Sequence, residues 1–369
     1  MSRWLVLLAL AGSAGFGQIS GLVTTDDGGQ LYFSTPLRLR GSQENTNPKI
    51  LRYVGRFQLF RQIASETMPV QSGDLYSVTN FYQLTDPQVA GDGTVVAFTG
   101  NAVCTPIAPD GCVEVATTIG NVVGANIPFK QLNPVNPLYN GEIRLSGDRR
   151  YVLMMGSLAA VNDFYRVIDL PNGAITTLPY STVGDAKQAF ADDGSLLLEL
   201  PSVTWGTPVP LVLWTPASNS SVQLNVSQMP LLARLSRNGK KVIYEAATAA
   251  SRTLMAFDVV SQSETVLATG PGATIPPNDD QYVSYFYPWV TRDGRTVLFL
   301  SSDSKGVMQA FLIQSDGSDL RQITTAPEGV SNATLSGYGN VAYAATTQSR
   351  LLRIELPSNT VADLAAPLE

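Results

Sequence analysis

The chain of 369 residues contains no histidine. Without an imidazole to act as base, Ser-His-Asp and Cys-His nucleophile systems are excluded. Histidine-ligated zinc or copper sites and histidine-based pH switches go with them. Charge is scarce as well: Asp, Glu, Lys and Arg make up 15% of the residues, and the formal net charge is −6. No basic run interleaved with aromatics offsets that balance, which argues against nucleic acid or an anionic membrane as partner. Beyond the N-terminus no apolar run is long enough to span a bilayer. Cysteine occurs twice, as Cys104 and Cys112 in "CTPIAPDGC". Around a Pro/Asp/Gly bend in an exported chain, such a pair reads as a local disulfide. The rival reading, a reactive dithiol, lacks the Cys-x-x-Cys spacing.

Metal and cofactor signals are equally thin, and none is expected. The acidic pairs Asp26-Asp27, Asp192-Asp193 and Asp279-Asp280 lack the alternate spacing and closing glutamate of an EF-hand loop. The first two fall on repeat turns, and calcium stays open for the third. Ser302 to Lys305 fits Ser-x-x-Lys without the companion motifs of serine acyltransferases.

What the chain does have is 31 Gly and 23 Pro among abundant Val, Leu, Thr and Tyr, the composition of an all-β protein with short connections. Its first residues, "MSRWLVLLALAGSAGFG", place Arg3 before an apolar run and then small residues. That is the pattern of a secretory signal peptide over 1–17, with no cysteine nearby for a lipid anchor, so a secreted, periplasmic or cell-surface location is expected.

The stretch "VTRDGRTVLFLSS" (290–302) poses the main question: is Asp293 a catalytic carboxylate or a turn residue? Asp-Gly between strand-like runs is a hairpin signal, because Gly tolerates positive φ. The pattern occurs six times, this stretch included, and, more weakly, a seventh in "TTDDGGQLYF". The turn positions Gly93, Arg149, Gly194, Gly239, Gly294 and Gly339 are spaced 56, 45, 45, 55 and 45 residues apart. Four residues upstream the position is Val, Leu or Phe, and three upstream it is Ala, Ser or Thr. Arg149 in the glycine slot and Asn238 in the aspartate slot would not suit a catalytic series. Asp293 is therefore read as a turn residue.

After each turn come an apolar strand, a variable loop and two more strands joined by a tight bend, as in "FYRVIDLPNGAITTLP" and "TLMAFDVVSQSETVLA". Four strands per repeat of about 45 residues predict a β-propeller. The expectation is seven four-stranded blades at approximately 18–66, 80–132, 141–180, 185–227, 229–270, 285–328 and 330–366, in a single domain 18–369. The chain should open on an innermost strand and finish on an outermost one, so that the first blade packs on the last without exchanging a strand.

"TRDGRTVLFLSSDS…AFLIQSDGSDLRQITTAP" resembles the WD40-like repeats of TolB-type propellers, most closely over 287–327 and well over 141–270. Similar repeats form the propeller of prolyl-oligopeptidase-type peptidases. The resemblance implies the fold. The sequence carries neither the α/β domain that precedes the TolB propeller nor the hydrolase domain of the peptidases, so neither function is carried over.

In a propeller the first strands surround a central channel, and ligands meet one face or the channel mouth. The residues seven before the turn position are Asp86, Glu142, Lys187, Tyr287 and Asn332, with Arg144, Arg234 and Trp289 two positions further along. They outline either a polar pocket or a solvated lining. A second candidate is "DDQYVSYFYPW", where Tyr282, Tyr285 and Phe286 form either an exposed aromatic platform or a filling between two blades. Two function classes follow. The favoured one is an exported non-catalytic propeller that binds a protein, peptide or glycan. The other is a polysaccharide-acting enzyme using paired carboxylates, with Asp86 and Glu142 as candidates.

Overall fold

The computed structural model describes residues 19–37, 49–64, 77–105, 113–121, 129–131, 143–158, 161–178, 188–199, 210–228, 230–247, 251–271 and 284–364. Among these residues, seven antiparallel sheets follow one another along the chain, at 20–64, 77–131, 143–178, 196–224, 230–271, 289–322 and 330–363. Within each, every strand pairs with its sequence neighbour. Among the described residues the helical content is one 3-10 turn, Gly55–Phe57. No helix of the described residues is long and apolar enough to cross a membrane. The fold is an all-β propeller of four-stranded blades.

Burial shows how the sheets stack. In the strand Lys241–Ala247, Val242, Tyr244 and Ala246 pack with Leu197, Leu211 and Leu224 of the preceding sheet. Ile243, between them, packs with Val290, Val297 and Phe299 of the following sheet. Successive side chains of a strand point to opposite faces, so a strand covered on both faces reads as a continuous apolar run. The same division occurs in the strand Val341–Thr346: Val341, Tyr343 and Ala345 face the first sheet, and Ala342 and Ala344 face the sixth. Shared apolar clusters link each of the seven sheets to the next, including the last to the first.

The expected closure is present. The first and last sheets are each contiguous in sequence. They meet through packing and through hydrogen bonds: Tyr343 Oη donates to the Gly28 carbonyl (2.8 Å), and Asn340 Nδ2 to the Asp27 carbonyl (3.1 Å). No described strand from one end completes the sheet at the other.

The Asp-Gly turns behave as turns. Asp293 Oδ1 accepts from Thr291 Oγ1 (2.7 Å) and from the Arg295 amide (3.0 Å). The small residue three before the turn position has its own role where it is Ser or Thr. Ser146 and Ser236 each accept an amide, from Tyr151 (2.8 Å) and Lys241 (2.9 Å), and each donates to the turn side chain, Asp148 or Asn238. Arg149 takes the left-handed conformation its glycine counterparts use, at φ 69°.

The count of seven four-stranded blades needs correction at one place. Six sheets have four strands, and the sheet at 196–224 has three. Its innermost segment is reduced to a single bridge, Phe190–Leu196. Gln188 lies just before this bridge and bonds to two other sheets. Its carbonyl accepts the Leu235 amide of the fifth sheet (2.6 Å). Its side chain clamps Val290 of the sixth, accepting that residue's N–H and donating to its carbonyl (2.9 Å each).

Candidate functional site

The site begins with a repeat position two residues before each turn position, occupied in order by Asp26, Gly91, Gly147, Asp192, Arg237, Arg292 and Gly337. Backbone hydrogen bonds between adjacent turns bring these residues together. The Asp26 amide donates to Gly91 O, that of Asp192 to Arg237 O, and that of Arg292 to Gly337 O. The Asn238 amide donates to Arg292 O and that of Tyr338 to Asp26 O.

The charged members form one neutral cluster across the channel. Arg237 reaches Asp26 Oδ1 with Nη1 (2.5 Å) and Asp192 Oδ1 with Nε (2.8 Å) and Nη2 (2.6 Å). Arg292 Nε holds Asp192 Oδ2 at 2.6 Å, and its Nη1 lies 3.7 Å from Asp26 Oδ2. The glycines make room for it. A Cβ at Gly91 or Gly147 would collide with Arg237, and one at Gly337 with Asp26. Burial pushes the Asp26 carboxyl up against the opposing pull of Arg237 and Arg292. The hydrogen bond to Asp192 raises Arg292. Two acids and two arginines thus plug the channel at the turn face.

Next to this plug the channel holds a cavity of ≈ 80 Å³, room for several waters. Among the sequence candidates, Arg144 and Trp289 line it, together with Gln88, Val89, Gln188 and Phe190. Arg144 and Arg234 are both about 1% exposed. Arg234 turns from the cavity toward the sixth sheet, donating from Nε to Pro288 O (3.3 Å), with its guanidinium 5.9 Å from the Trp289 ring centroid. Tyr287 is half-buried against the core between the sixth and seventh sheets, and Asn332 is half-buried on the strand Val330–Leu335; neither lines the cavity. Asp86 falls on the strand Ser77–Val89, but its side chain, like Glu142, Lys187 and Tyr282, lies outside the described residues. So does the Cys104–Cys112 pairing, although the backbone of Cys104 pairs with Val78.

Of the aromatic segment, the described residues Tyr285 and Phe286 are not exposed. Phe286 is fully buried between the fifth and sixth sheets, edge-on to Tyr285 (4.9 Å) and Phe299 (6.0 Å), and Tyr285 is half-buried. The anchor is Glu245, itself fully buried. Its carboxylate accepts from Ser284 Oγ (2.6 Å), from the Tyr285 amide (3.1 Å) and from the Phe286 amide (3.2 Å). Glu245→Gln presents N–H donors where acceptors are required and is expected to cost about 1–3 kcal/mol. Urea unfolding reads the loss, and faster hydrogen exchange at the Tyr285 and Phe286 amides locates it. Unchanged exchange there would contradict the anchoring role.

No family model matches the chain, and no curated protein matches it in sequence. Among solved structures it is similar to the β-propeller domain of the trilobed protease from Pyrococcus furiosus, which has an open velcro topology. Identity is 12%, the TM-score is 0.61, and the match covers 95% of this chain and 98% of that one. TolB from Acinetobacter baumannii matches at 12% identity and a TM-score of 0.46, over 94% of this chain and 78% of that one. The first of these likenesses shows the propeller fold, in line with the repeat resemblance.

Proposed function

We infer that the protein is an exported, non-catalytic propeller that binds a protein, peptide or glycan partner. The observation that carries this reading is the state of the channel acids. Asp26 and Asp192 are both committed to ion pairs with Arg237 and Arg292. Paired-carboxylate hydrolysis needs one acid free to donate a proton and another to act as nucleophile or base. Among the described residues these two carboxylates serve as structural braces, which supports binding over turnover. The three-stranded sheet at 196–224 counts in this reading as the fourth of seven blades, since it packs between its neighbours as the others do. Export rests on the 1–17 leader pattern.

The test is to apply the secreted protein to glycan and peptide arrays and to assay every hit for hydrolysis. Binding without cleavage is the expected result. Turnover of any bound glycan or peptide would replace this reading with an enzymatic one, and mass spectrometry of the purified N-terminus checks the leader.

A further inference from the structure

We propose that the channel mouth on the turn face is a binding site for a neutral glycan, with Tyr338 as the ring on which a sugar stacks. This site rests on the partner-binding reading and gives it one face and one ligand class.

The repeat frame breaks at Tyr338. Six repeats place Asp or Asn immediately before the turn position: Asp27, Asp92, Asp148, Asp193, Asn238 and Asp293. Each of these side chains accepts the amide two residues further on. The seventh repeat has tyrosine there. Its turn is completed by Asn340 instead, whose Oδ1 accepts from Ser336 Oγ (2.7 Å) and whose Nδ2 donates to Asp27 O (3.1 Å). The turn therefore does not call for the phenol.

The ring stands at the mouth of the channel. The Tyr338 amide donates to Asp26 O (2.8 Å), which holds its backbone against the plug, and the residue is 64% exposed. Arg292, with its side chain 42% exposed, is close by: the hydrogen bond to Asp192 raises it, and the Tyr338 phenol adds to that effect. Asp27 and Asp293, the counterparts of Tyr338 in the sheets on either side, are both exposed.

An aromatic face beside carboxylates and a guanidinium suits a sugar. Its C–H face packs on the ring, while its hydroxyls donate to carboxylate oxygens and accept from the guanidinium. The two acids and two arginines of the plug already cancel one another, and Asp27 and Asp293 would repel an acidic sugar. One exposed ring is also too little apolar area for the core of a standard protein interface.

The experiment is calorimetric titration of the full secreted chain with cellopentaose, xylopentaose, maltopentaose and chitopentaose, with acidic oligogalacturonate as control. Saturable binding of at least one neutral oligosaccharide is expected, without comparable binding of the acidic one. Tyr338→Ala should weaken it by roughly threefold to tenfold, the contribution of an aromatic stack, and Tyr338→Phe should keep most of the affinity. Tyr338→Asp installs the residue type most other repeats use at this position. It should match the parent in circular dichroism and melting, yet lose the stacking contribution. Absence of binding to every neutral oligosaccharide at millimolar concentration would overturn the proposal. So would preference for the acidic one, or full affinity in the folded Tyr338→Ala and Tyr338→Asp proteins. A peptide or protein hit on the arrays without any glycan also overturns it, but leaves the partner-binding reading intact. Cleavage of a bound glycan, with binding still weakened in Tyr338→Ala, would overturn the non-catalytic reading and uphold the site.

Discussion

Arg237→Ala is expected to destabilise the propeller by about 3–5 kcal/mol, the usual cost of removing one partner from a buried ion pair. Arg237 is the hub of the channel plug, touching Asp26 and Asp192 from opposite sides of the ring. Its loss leaves Asp26, with a side chain 11% exposed, facing a second carboxylate with Arg292 no closer than 3.7 Å. The sign of the pH dependence follows. Burial already pushes the Asp26 carboxyl up, and Arg237 is the strongest group opposing it. In the variant the folded-state value rises further above that of the unfolded chain. The folded variant then binds a proton that the unfolded chain releases, so its stability increases as pH falls through the folded value. Urea unfolding should show a larger deficit at neutral pH than at about pH 5. Adding Asp26→Asn to Arg237→Ala should recover part of the loss. A variant as stable as the parent at neutral pH would show that the cluster braces nothing.

Trp289→Ala should have an effect of similar size, about 3–5 kcal/mol, for a different reason. The indole is 8% exposed and belongs to the apolar cluster between the sixth and seventh sheets, with Leu298 and Leu335. It also carries the Arg234 guanidinium 5.9 Å from its ring centroid. Truncation opens a void that merges with the channel cavity and removes the aromatic face from a buried cation. Trp289→Phe keeps a ring in place and should lose less than half as much. Thermal and urea unfolding of both variants measure this. Unchanged melting of the alanine variant would mean that the indole fills no gap and serves a ligand alone.

Much of this architecture was legible along the chain, because turn chemistry and strand burial are local. Asp293, Gly294 and Thr291 specify a hairpin through contacts within a few residues of each other, and the pitch of the repeats then implies a propeller. The apolar strands announce burial on both faces by lacking alternation. The absence of histidine ruled out whole classes of chemistry before any coordinates were needed.

The plug was not legible in the same way, although its signal was present. Aligning the repeats two residues before the turn position yields Gly, Asp or Arg in every repeat. That pattern carries no meaning until the ring closes, because Asp26 and Arg237 are 211 residues apart and meet across the channel axis. Gln188 is a similar case: its amide finds Val290 102 residues away. Phe286 allowed a surface or an interior reading, and a buried carboxylate on another sheet, Glu245, holds its amide inside. Local sequence determined the turns, the strands and the repeat, because each depends on residues nearby in the chain. Tertiary structure alone decided which charges neutralise one another, because those partners are set by circular closure of the sheets.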